Sequence, residues 1–282
     1  MISIVANLQK YLLTAALIAG LIMGSAPSSF GQNLIVNGTF TNFTTTGADY
    51  KSTGAGVNIP GGYNTGTTLT GWSNTGYTFL FNTTGSSNNV GDQSVTGSGG
   101  ALALWGPKNG SNNGLVAAPG GGNTLGLDGV YQRGVLSQVV TGLTSGKQYM
   151  VSFEWAGAQQ QNYTGATTES YSVALGGTGY NSTTQVLDKA QTTATANNVS
   201  KGFTGWMAQS FTFTADATSD TLYFLANGTP NGLPPFSLLA DVTMVAVPEP
   251  KATACLVILF VMLIMVGNWI RRRFSKNEPA SA

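Results

Sequence analysis

Residues 147–157 read KQYMVSFEWAG. Tyr149, Val151, Phe153 and Trp155 fall on one side of an extended chain, and Met150, Ser152 and Glu154 on the other. A period of two carried by aromatic and β-branched residues marks a half-buried strand. The run before it, GVLSQVVTGL (134–143), alternates in the same way. Leu136, Gln138 and Val140 share one face, and Val135, Ser137 and Val139 share the other.

Similar runs recur on both sides. NLIVNGTF (33–40), YTFLFN (77–82) and GALALW (100–105) precede the central pair. SYSVALGG (170–177), AQSFTFTA (208–215), DTLYFLANG (220–228) and FSLLADVTMV (236–245) follow it. Between the two chain ends no stretch has helical periodicity. Many short strands broken by Gly and Asn turns predict an all-β fold, a sandwich or jelly roll. Stretches 42–68, 86–99 and 108–123 are rich in Gly, Thr, Ser and Asn and are expected to be long loops. Strands flank each of them, so residues 32–246 are expected to form one domain.

Composition narrows the function. Only 8 % of the chain is charged, against roughly 25 % in ordinary soluble domains. Residues 32–246 carry six basic and nine acidic side chains, a net −3 with no basic patch. Nucleic acid is therefore not an expected partner. The chain has no histidine, which excludes His-based acid–base catalysis, His metal ligation and Ser-His-Asp triads. Its one cysteine, Cys255, lies in a C-terminal apolar run, so no intramolecular disulfide forms and the globular part holds no thiol nucleophile.

The two ends read as addresses. Lys10, the apolar stretch from Tyr11 to Met23 and the small residues after it form a secretory signal peptide over 1–31. Gly24 with Ala26, and Ser29 with Gly31, both fit the small-residue cleavage pattern. Thr253 to Ile270 is an uncharged run of 18 residues, within the roughly 17–25 that span a bilayer. Trp269 stands at its end, and Arg271, Arg272, Arg273 and Lys276 follow, which places that end in the cytoplasm. Pro248, Glu249 and Pro250 precede the run, and two prolines make that site extended and accessible.

In this order, the Pro-Glu-Pro, the spanning helix and the Arg cluster of residues 247–282 resemble the PEP-CTERM sorting signal of Gram-negative bacteria. The resemblance implies an exosortase as partner. It implies anchoring in the inner membrane through the C-terminal helix, cleavage near the motif, and a destination at the cell surface or in the extracellular, exopolysaccharide-rich biofilm matrix. The FSKNEPASA that follows the arginines and the Lys251 directly after the motif depart from the family's usual pattern. NLIVNGTF, GVLSQVVTGLTSGKQYMVSFEWAG and FSLLADVTMVAVPEP also resemble the galactose-binding-like jelly roll shared by carbohydrate-binding modules.

Candidate sites follow from residue chemistry. Trp105, Tyr131 and Tyr163 are expected near loops, where a flat ring can stack on a sugar. QQQNY (159–163) and DGVYQR (128–133) would add hydrogen-bonding groups. Trp72, Tyr77 and Trp206 share the loop setting, while Trp155 and Trp206 read as core. Glu154, expected to face solvent, and Glu169, expected in a polar loop, are the carboxylates a glycosidase would need. Neither is expected to be catalytic, and the chain reads as a non-enzyme without a cofactor. Resemblance to the sandwich modules implies one structural calcium at Asp241, with Asn37 or backbone groups nearby. The family's carboxylate after the first-strand Phe is replaced by Thr41. Three functions compete: a non-catalytic matrix protein, a lectin-like module with a defined sugar pocket, and a polysaccharide-active hydrolase.

Overall fold

The computed structural model describes residues 31–45, 57–58, 67–81, 95–97, 100–107, 110–248, 260–261, 263–265 and 267–268. Among them, eight strands have four residues or more. They are β1 (Thr78–Phe81), β2 (Thr124–Asp128), β3 (Val135–Thr141), β4 (Gln148–Gln159), β5 (Thr167–Leu175), β6 (Met207–Thr214), β7 (Ser219–Thr229) and β8 (Pro235–Ala246).

Two sheets result. One runs β6-β4-β8-β2-β1 and ends on Val57–Asn58. The other runs Gln191–Thr192, β5, β7, β3 and Ser73–Asn74, with Ala196–Asn198 also paired to β5. From β2 to β8 successive strands alternate between the sheets. The fold is an all-β sandwich with jelly-roll alternation.

The period-two reading decides what lies between the sheets. Tyr149, Val151, Phe153 and Trp155 of β4 are buried and meet Tyr171, Val173, Leu222 and Phe224 from the facing sheet. Phe153 packs edge-on against Phe224 with centroids 5.2 Å apart, and Trp155 against Tyr171 at 6.2 Å. Edge-to-face packing suits the ring quadrupoles and adds about 0.5–1.5 kcal/mol per pair beyond burial. Tyr171 buries its hydroxyl completely and donates it across the sandwich to the Ser237 carbonyl at 2.6 Å.

The N-terminal segment closes one edge. Leu34 donates its N–H to the Met244 carbonyl at 2.9 Å, and the Asn33 side chain accepts the Met244 N–H at 3.0 Å. Buried Gln138 clamps Val36 from β3, accepting its N–H and donating to its carbonyl, each at 2.8 Å. Trp72, read as a loop aromatic, is a core residue that packs on Phe40 and donates its indole N–H to the Asn37 carbonyl.

A second, smaller core lies on the outer face of the β6-β4-β8 sheet. Ala156, Ala158, Phe236 and Leu238 point outward, and Leu104 and Leu115 cover them from the loop region around 103–118. Trp206 packs on this outer cluster and is half-buried. The expected loop over 42–68 contains the short strands Phe43–Thr45, Val57–Asn58 and Thr67–Leu69.

Pro248 is exposed, whereas Glu249, Pro250, residues 1–30 and Arg271 to Arg273 lie outside the described residues. So does most of the 253–270 run. Its described residues, 260, 261, 263–265, 267 and 268, are helical, with Phe260, Val261, Leu263 and Met265 exposed. No helix among the described residues is long and apolar enough to cross a membrane.

Candidate functional site

Where the outer core stops, the same face of the sheet opens into a groove of about 660 Å³. Ser152 and Glu154 of β4, Ala208 and Ser210 of β6, and Asp241 and Thr243 of β8 form its floor. These are the outward members of three adjacent strands. Ser152 lies opposite Ser210 on one side and Thr243 on the other. Small side chains on three neighbouring strands leave the hollow. Asn33, Thr39 and Pro119 stand at its rim, and no Lys or Arg among the described residues lines it.

A β-bulge shapes one wall. Between the pairs Ser152–Thr243 and Glu154–Ala240, β8 carries one residue more than β4. Asp241 sits there at φ 53°, in the left-handed region where Asp is among the few non-glycine residues that fit. Its Oδ2 accepts the Gly120 N–H at 2.8 Å. A Cβ on Gly120 would collide with this carboxylate, so only glycine lets the 118–122 turn come so close. Glu154 is half-buried on the same floor. Burial raises its carboxyl above the ordinary range, and the negative Asp241 raises it further.

The donor set does not make a calcium cage. A hard cation takes about six to eight oxygens. Here a neutral N–H already meets the Asp241 carboxylate, and Thr41 bonds Thr39 at 3.2 Å. Asn37 organises its own loop by bonding Asn42 and Thr70. No group of three or more acidic, His or Cys side chains assembles among the described residues.

The predicted sugar-stacking aromatics are only partly brought together. Trp105 donates its indole N–H to the Tyr163 carbonyl at 2.6 Å. The Lys201 ammonium sits 4.6 Å from the Trp105 ring centroid and takes one ring face by cation–π attraction. Tyr163 is 38 % exposed. Tyr131, 64 % exposed, stacks instead against Tyr77 with centroids 6.0 Å apart.

Their polar neighbours hold the fold. Asp128 is buried and caps its own turn, accepting the N–H groups of Val130, Tyr131 and Gln132. Arg133 is spent on the Ala226 carbonyl and the side chains of Asn227 and Gln185. Gln159 is fully buried and bridges Gly165 and Lys201.

Glu169 corrects the sequence reading. It is not in a polar loop but inside β5, fully buried and pointing between the sheets. Its Oε1 accepts the Thr167 hydroxyl at 2.6 Å, and its Oε2 has no hydrogen-bond partner. Desolvation raises its pKa to about 7, against the opposing pull of Thr167 and Asn198. Glu154 and Glu169 cannot act as a pair, because Glu154 points outward from the β6-β4-β8 sheet while Glu169, on β5 of the facing sheet, is buried between the two sheets.

No protein-family model matches this chain, and no curated protein does. Solved structures similar to it include carbohydrate-binding modules. A CBM4 module is 16 % identical, with 76 % of this chain and 99 % of that one covered and a TM-score of 0.30. TmCBM61, solved in complex with β-1,4-galactotriose, is 13 % identical, with 72 % and 100 % covered and a TM-score of 0.32. The CBM22-1 xylan-binding domain from Paenibacillus barcinonensis Xyn10C is 8 % identical, with 79 % and 99 % covered and a TM-score of 0.31.

Proposed function

We propose that this chain is an exported, non-catalytic surface protein whose groove across β6, β4 and β8 holds an uncharged polysaccharide. The lining of that groove carries the reading: hydroxyls, two amides and two carboxylates over small side chains, with no cation among the described residues. Sugar hydroxyls are donors as well as acceptors, and hydrogen bonds to charged groups contribute about 1.5–3 kcal/mol each. Glu154 and Asp241 are the acceptors that would orient the chain. Tyr131 and Tyr163 are exposed away from the groove lining and would offer ring faces at a separate contact. Export rests on the signal peptide. Sorting rests on Pro248, Glu249 and Pro250, with exosortase as the partner and the 253–270 helix as anchor until cleavage.

Titration calorimetry with neutral oligosaccharides from an exopolysaccharide tests this. Glu154→Gln and Asp241→Asn should each weaken binding about 5- to 10-fold, the loss of roughly 1–1.4 kcal/mol. Unchanged affinity in both variants would remove the groove as the binding site.

The same two carboxylates favour a second reading, a hydrolase with Glu154 as the raised-pKa acid. Product release that stops in Glu154→Gln would establish it. Binding without turnover would favour the first reading.

A further inference from the structure

The buried carboxyl of Glu169 plays no part in the groove, yet it is built into a joint. Three elements enclose it. Thr167 bonds it from β5, Gly157 of β4 presents a bare Cα to its Oε2 beside Thr204, and Asn198 acts on it from the strand Ala196–Asn198. A Cβ on Gly157 would meet both Glu169 Oε2 and Thr204 Cγ2, so carboxyl and threonine share one glycine.

Thr204 belongs to a segment that is stitched down on both flanks. It exchanges two hydrogen bonds with Gly157: the Gly157 N–H to its hydroxyl at 2.8 Å, and its own N–H to the Gly157 carbonyl at 3.0 Å. Lys201 donates its N–H to buried Gln159 at 2.7 Å, and its carbonyl receives Ser111 and Asn113. Trp206 reaches the Val116 carbonyl at 3.1 Å. Directly after Trp206 the chain becomes β6, whose Ala208 and Ser210 form part of the groove floor.

We propose that Glu169 is a proton-operated latch on the segment from Val199 to Trp206: with its carboxyl protonated the segment stays pinned to β4, and with the carboxylate ionised it releases. The inference goes beyond the polysaccharide reading and does not depend on it.

A neutral carboxyl fits this enclosure, because Oε2 has no hydrogen-bond partner and desolvation outweighs the opposing pull of Thr167 and Asn198. Among the described residues no charged group acts on it. On its own inward row of β5 the next titratable side chain is Tyr171, whose hydroxyl is committed to Ser237. β4 contributes only Gly157, flanked by Trp155 and Gln159. The facing part of β7 contributes Gly228, opposite Glu169 in register. Lys201, the one charged residue of the segment, places its ammonium on Trp105. Ionisation therefore meets no compensating charge, and the cheapest relief is to open the segment and let water in.

The sign follows from linkage. The closed form holds its proton up to about pH 7, whereas an open, hydrated glutamate has an ordinary value of 4.5. Closure is at full strength below that ordinary value and weakens as pH rises, until the loss is complete above about 7. The difference corresponds to at most about 300-fold in the closing equilibrium.

Amide hydrogen exchange on the full chain at pH 5.5 and 8.5, corrected for intrinsic exchange, reads the latch. Peptides covering 199–206 should lose at least about tenfold in protection at the higher pH, while β7 and β8 keep theirs. In Glu169→Gln the same peptides should show no pH-dependent loss. An equal loss in Glu169→Gln, no loss in the wild type, or a uniform loss across the sandwich would each overturn the proposal. A second measurement covers a variant that fails to fold. The chain has four glutamates, so carboxyl-labelled wild type gives four resolvable titrations by NMR. One must have its midpoint near 7 and belong to a buried group. If every midpoint lies below 5.5 there is no latch.

Discussion

At the scale of single residues, side chains here were legible where periodicity alone decides them and illegible where a partner distant in sequence decides. Tyr149, Val151, Phe153 and Trp155 point inward as KQYMVSFEWAG requires. Glu169 was misread because TTES looks polar; only the facing Gly157 and the cover from Asn198 and Thr204 make that position interior. The same holds for glycine. Gly38 looks like an ordinary turn residue after Asn37, but its carbonyl accepts the Val242 N–H at 3.0 Å, and a Cβ there would run into the Val242 carbonyl. Backbone on both sides leaves no flexible atom to yield. Gly38→Ala should therefore destabilise by about 3 kcal/mol, the upper end for overpacking, and urea unfolding measures it. A loss under about 0.5 kcal/mol would mean that the N-terminal segment does not dock on β8 as described.

At the scale of elements, the strands were predictable and their neighbours were not. Most of the long strands coincide with an alternating run, since alternation is a local property. The groove depends on β6, β4 and β8 lying side by side, although they are far apart in sequence. Ser152, Ser210 and Thr243 became a floor only through that order. Nothing in FSLLADVTMV signals the bulge, because an extra residue shows only against the partner strand. Asp241 gives a way to test it. Its left-handed backbone favours glycine over alanine by about 1–2 kcal/mol, while either change loses the bond to Gly120. Thermal unfolding should rank the wild type above Asp241→Gly, and Asp241→Gly above Asp241→Ala. Alanine at least as stable as glycine would mean that position 241 is not left-handed in solution.

At the scale of the whole molecule, the question is how so uncharged a sandwich is hydrated and where it goes. Residues 32–246 carry a net −3, so polar, uncharged loops rather than charge must hydrate the surface. Such a surface forms many weak hydrogen bonds and little long-range attraction, which suits a hydrated polysaccharide matrix. In the proposed reading destination depends on the ends, where an apolar run, two prolines and three arginines are linear features that need no tertiary contact to be read. By contact the chain also divides at that point, with Met1–Ala246 and Val247–Ala282 as separate compact units. Cleavage beside Pro248 would thus cut between units and leave β8, which ends at Ala246, whole. Intact mass of the protein from its native host, taken separately from membrane and released fractions, decides the matter. The released species should begin near Gln32 and end near Pro248, with a melting temperature unchanged from that of the full chain. A released species retaining 253–282 would mean that release needs no cleavage, and a sole membrane form with the tail intact would make the tail a permanent anchor; either would remove exosortase from the protein's partners.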